Sequence, residues 1–170
     1  MRMTPEQLLA RYSAQVLAFR FNETKTEPAP TLGKNIITRM TDQALHFTEA
    51  GERNRILLMG AGDGALAETL AAAAAAQGLA DFTLCELRPE RIRQAMETGR
   101  LTPGVFPGRI LADDSPRAAF FLLAMLGYTP ANTTMVMHPE LPREESDALR
   151  RVQRLFLSAK PYKFGETLSD

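Results

Sequence analysis

Ile56-Leu57-Leu58-Met59-Gly60-Ala61-Gly62-Asp63-Gly64-Ala65-Leu66-Ala67 is the stretch on which the fold turns. The run Ile56 to Met59 is apolar without alternation and too short for a helix, which predicts a strand buried on both faces. Gly60, Gly62 and Gly64 predict a tight turn, because glycine alone takes left-handed backbone angles freely. Ala65 to Gln77 is dense in alanine, the strongest helix former, and Gly78 supplies a stop. Buried strand, tight turn and helix together open a parallel crossover unit.

The same alternation continues downstream. Strands are expected at Asp81 to Glu86, Arg109 to Ala112 and Thr133 to Met137. Helices are expected at Pro89 to Thr98, Arg117 to Leu126 and Arg143 to Ser158, and Tyr162 to Leu168 reads as a fifth strand. Four strand–helix repeats with short loops predict an α/β fold with an open, doubly wound, mostly parallel sheet of about five strands. Upstream, Thr4-Pro5-Glu6 reads as a helix start, and Asn22 to Pro30 as a polar linker. A helix over Lys34 to Glu49 would carry Ile36, Ile37, Met40, Ala44 and Phe47 on one face. The division expected is a helical arm over 1–50 and the α/β domain over 51–170.

Composition narrows the functional classes. The 170 residues are 45% hydrophobic and 24% charged, ordinary for one globular domain with a core of its own. Lys+Arg and Asp+Glu are both 20, so the formal net charge is zero and bulk nucleic-acid binding is not expected. Trp is absent and there are 3 Tyr, so base-stacking platforms are scarce. One cysteine, Cys85, agrees with a reducing, cytoplasmic location, and with only two histidines no metal site is expected. Leu66 to Ala76 is too short and Ala-rich to span a bilayer, so no membrane association is expected.

The glycine turn can hold a ligand. In a doubly wound sheet, ligands sit beyond the carboxyl ends of the strands, where the following helix offers free amides. Glu86, at the end of the second strand, faces the same crevice and can accept both hydrogens of a ribose diol. Gly60-x-Gly62-x-x-Ala65 also satisfies the dinucleotide pattern, so an NAD-binding domain is a weaker alternative. The pair Gly60-x-Gly62-x-Gly64 and TLCELRPERIRQA resembles motifs I and II of the class I S-adenosylmethionine-dependent methyltransferases, a Rossmann-like superfamily. The resemblance covers about Arg55 to Met137.

That resemblance implies S-adenosylmethionine as cofactor. Gly60, Ala61, Gly62 and Gly64 would pass close to its amino-acid part, Glu86 would bind the ribose hydroxyls and Leu87 would flank the adenine. Asp113, with Asp114, would contact the adenine amino group; a helix N-cap at Asp113-Asp114-Ser115 is the other reading. Where the family places an acid, next to the first glycine, this chain has Met59. After Met137 there is room for one helix and at most one strand: either the fold is a trimmed version of the family's, or the N-terminal arm or a second copy, in a homodimer, covers the sheet edge.

The segment after the fourth strand, where the superfamily often meets its methyl acceptor, is His138-Pro139-Glu140. His138 could serve as general base and Glu140 could position the acceptor. Against these stand a loop histidine without a role and a non-catalytic Rossmann-like binding or interaction module descended from the same fold. His46 is expected to be a partly buried helix residue and Cys85 strand core. The arginines of 88–93 and 150–154, with Glu90, Glu144, Glu145 and Asp147, read as solvated helix faces.

Overall fold

The computed structural model describes residues 27–49, 53–79 and 81–158. Their elements run α1 (Lys34–Glu49), β1 (Arg55–Met59), α2 (Ala65–Ala76), β2 (Asp81–Glu86), α3 (Pro89–Glu97), β3 (Arg109–Ala112), α4 (Pro116–Met125), β4 (Thr133–Met137) and α5 (Arg143–Ser158). The four strands form one sheet in the order β3-β2-β1-β4, with every pairing parallel. The helix expected from Thr4 and the strand expected over 162–168 lie outside the described residues.

The sheet is apolar on both faces, and two cores follow from that. Ile56 and Leu58 of β1 join Leu84, Ile110, Leu66 and Leu70 in one. Leu57 and Met59, pointing the other way by the two-residue period of a strand, join Leu111, Leu122, Leu149 and Phe156 in the other. Helices α1, α2 and α3 contribute to the first core, α4 and α5 to the second. This is the doubly wound α/β arrangement, with four strands among the described residues.

Helix α1 belongs to this body: Ile37, Ala44 and Leu45 lie within the first core. Its buried stripe differs from the expected one. Thr41 and Thr48 are buried, whereas Ile36 and Phe47 are 41% and 58% exposed. The rotation has a polar cause. Thr48 Oγ1 donates to the Ala44 carbonyl (2.6 Å) and lies 2.8 Å from the Thr134 hydroxyl on β4, so Thr48 faces that strand, while the buried Thr41 hydroxyl has no hydrogen-bond partner among the described residues. His46, expected to be partly buried, is exposed on the opposite side.

Two further expectations are corrected. Arg91 and Glu145, read as members of solvated faces, are 1% and 4% exposed. Glu145 falls on the stripe Glu145-Leu149-Val152-Phe156 that packs α5 against the sheet. Burying its three apolar members contributes about 1.5–3 kcal/mol each, which holds the acid inward. No helix among the described residues is long and apolar enough to cross a membrane.

Candidate functional site

Strand register assembles the site. Met59 is opposite Cys85 on one side and Met137 on the other. The residues just beyond those ends therefore meet: Gly60 N donates to the Cys85 carbonyl (2.9 Å), His138 N to Met59 O (2.9 Å) and Asp113 N to Glu86 O (3.1 Å). Strand β1 has successive neighbours β2 and β3 on one side and β4 on the other, so the glycine turn and His138 flank the switch point of the sheet.

The turn has the left-handed angles its glycines permit, with φ of +97°, +52° and +92° at Gly60, Gly62 and Gly64. Gly64 N donates to Ala61 O (2.9 Å), and Asp63 Oδ1 accepts from Ala65 N (3.0 Å) at the start of α2. Glu86 does reach the turn. Its Oε1 accepts from Ala61 N and its Oε2 from Arg88 N, each at 2.9 Å. The carboxyl is 1% exposed. Burial pushes its pKa from 4.5 up to about 7, against the opposing pull of the two amides.

The space beside Gly60 and Gly62 is taken by side chains of this chain. A Cβ on Gly62 would run into the His138 imidazole, and one on Gly60 would come within 2.5 Å of Leu141 Cδ1. Gly60, Ala61, Gly62 and Gly64 are all buried. As arranged, these residues do not fit S-adenosylmethionine placed as the resemblance implies, because an amino-acid part lying against Gly60 and Gly62 would meet Leu141 and His138.

His138 is itself 2% exposed. Its Nδ1 accepts from the Glu140 amide (3.3 Å), which places the proton of the neutral ring on Nε2. That Nε2 is buried with no hydrogen-bond partner among the described residues. Burial lowers the pKa below 6.5, opposed by the carboxylates of Asp63, Glu140 and Glu145. In this arrangement the ring carries its proton on the atom that faces Gly62.

The other expected site residues are spread around this centre. Leu87 is 6% exposed and packs in the second core. Asp113 Oδ1 accepts from Ser115 N (2.9 Å), while Ser115 Oγ accepts from Ala118 N (3.3 Å) and caps α4. The N-cap reading of Asp113-Asp114-Ser115 therefore describes the local geometry. Asp114 and Glu140 are exposed.

Behind the crevice lies a pair absent from the sequence reading. Arg91 Nε and Nη2 donate to the two oxygens of Glu145 at 2.9 and 3.0 Å. Arg91 Nη1 reaches the Glu27 carbonyl (2.6 Å), so this guanidinium joins α3, α5 and the segment before α1. The Glu145 carboxylate holds Arg91 further into its charged form. The signal was present: Glu145 sits at i, i+4, i+7 and i+11 spacing with Leu149, Val152 and Phe156, and Arg91 adjoins Ile92 on the buried side of α3. Comparison of the chain with protein-family models, with curated proteins and with solved structures finds no match in any of the three.

Proposed function

We propose that this chain is a non-catalytic, Rossmann-like binding or interaction module that keeps the frame of a methyltransferase-type fold and has closed its cofactor crevice. One observation carries this reading: His138 and Leu141 occupy the volume over Gly62 and Gly60. Both Glu86 oxygens hold backbone amides, so the acid expected to grip a ribose serves the turn instead. The partner surface in this reading is an outer strand, with β4 half-buried at Met135, Val136 and Met137; a second copy is the first candidate, and the cytoplasm the expected location.

A second reading retains S-adenosylmethionine binding and methyl transfer to an unidentified acceptor. It is favoured by the unpartnered, buried Nε2 of His138, a polar group left unsatisfied beside the turn. It requires 138–141 to leave the crevice. Calorimetric titration of the full chain with S-adenosylhomocysteine, S-adenosylmethionine and NAD separates the two. The module reading expects no heat from any of them at about 1 mM ligand, a ceiling near 4 kcal/mol of binding free energy. Binding of a sulfur compound that is lost in Gly62→Val and weakened in Glu86→Ala overturns it; NAD binding alone selects a nicotinamide site. Light scattering across a concentration series tests self-association.

A further inference from the structure

A separate cavity of about 420 Å³ opens on the outer side of the glycine turn, lined by Ala29, Asp63, Gln94, Glu97, Thr98 and Arg100 among others. Its volume lies within the roughly 300–1,000 Å³ of small-molecule sites. The wall formed by the segment before α1 is tied down: the Glu27 carbonyl accepts from Arg91 Nη1 (2.6 Å) and from Gln94 Nε2 (3.0 Å). Arg91 is itself fixed by its buried pair with Glu145. The wall is therefore anchored to the core and does not depend on a ligand for its shape.

The charges in this cavity are arranged to receive a ligand of mixed sign. Asp63 has one oxygen fixed by the Ala65 amide, which sets the carboxylate's orientation. Glu97 is offset by Arg93 at 3.5 Å. Arg100 makes no ion pair with any described residue. A carboxylate and a guanidinium thus line one cavity without pairing with each other. Pro28, Ala29 and Ala95 supply apolar wall beside them.

We infer that this cavity binds a small zwitterion of the α-amino-acid type, its carboxylate on the Arg100 guanidinium, its ammonium on Asp63 and a small apolar side chain against Ala29 and Ala95. The fork of an arginine matches a carboxylate in two parallel hydrogen bonds; Asp63 is oriented by the Ala65 amide, and the Arg100 backbone is tied to the end of α3 by its N–H to the Ala95 carbonyl (2.8 Å). The inference stands apart from the closed crevice, since the cavity lies outside it and needs no movement of His138.

The test titrates the full chain with L-alanine, L-serine and L-valine, following amide shifts by NMR, with acetate and methylamine as single-charge controls. Saturable shifts clustered at Ala29, Asp63 and Thr98 are expected from an amino acid. Arg100→Gln should weaken binding about tenfold or more, and Ala29→Phe, which fills the cavity from its exposed rim, should abolish it. The amide spectrum of each variant shows that it is folded. Absence of saturable shifts up to about 10 mM overturns the inference, a limit below 3 kcal/mol of binding free energy. So does binding indifferent to both substitutions, or acetate binding as tightly as the amino acids.

Discussion

Gly62 and Glu86 show how two residues of one pattern are used by the chain itself. At Gly62 both backbone and space forbid a side chain, since φ is +52° and the imidazole of His138 lies where a Cβ would go. Gly62→Ala should cost about 2 kcal/mol or more in urea unfolding, and His138→Ala in the same chain should recover the steric part while leaving the backbone strain. Glu86 carries a pH signature. Its folded pKa of about 7 lies above the ordinary 4.5, so the folded state binds the extra proton between those values. Stability from this group is full below pH 4.5 and declines as pH rises through 7, by on the order of 3 kcal/mol. His138 has the opposite sign: its lowered pKa makes stability fall as pH drops below 6.5. Unfolding free energies measured from pH 4.5 to 8 should therefore fall more steeply in the parent than in Glu86→Gln. Equal slopes in the two proteins would refute the assignment to Glu86.

Among the elements, α3 and α5 are coupled by charge rather than by apolar contact alone. Removing Arg91 as Arg91→Met leaves the buried Glu145 with only the half-exposed Arg88 guanidinium at 3.7 Å, and the expected loss is about 3 kcal/mol by thermal or chemical unfolding. The double variant Arg91→Met, Glu145→Leu should cost less than that single change, because no charge then remains inside. A double variant worse than the single would show that the link to the Glu27 carbonyl outweighs the ion pair. Here lies the boundary of what the sequence made legible. The run Ile56 to Met59 reads as a strand because it is short, apolar without alternation and closed by glycines, and Thr133 to Met137 because it is short and rich in β-branched residues. The ends of β2, β3, β4 and α5 followed from the same patterning and from capping residues. The Arg91–Glu145 pair is not legible in the sequence, because a charged residue on an apolar stripe reads as solvated and its partner is 54 residues away. The α1 stripe lies one position from the apolar pattern, and at Thr48 the reason is a hydroxyl on the neighbouring strand that only the fold brings within reach.

For the whole molecule, strand order decides where stability and exposure lie. Strand β1 has partners on both sides and its residues Ile56 to Met59 are fully buried, whereas β3 and β4 are the outer strands of the described sheet. Native-state hydrogen exchange should find the slowest amides in β1 and β2, approaching global unfolding, with β4 faster on its open side. Slow exchange along both sides of β4 would instead reveal a covering chain in solution. The convergence of residues 60–64, 86 and 138 was legible because parallel register brings strand ends together. What fills the space among them was not, since the course of 138–141 depends on where α5 docks. The strand-end acid has a wider consequence. A carboxylate that clamps its own loop, as Glu86 does through the Ala61 and Arg88 amides, has a folding task whether or not any small molecule ever visits. A cofactor pattern in the sequence can thus be spelled by residues that the ligand-free fold already needs for its own closure.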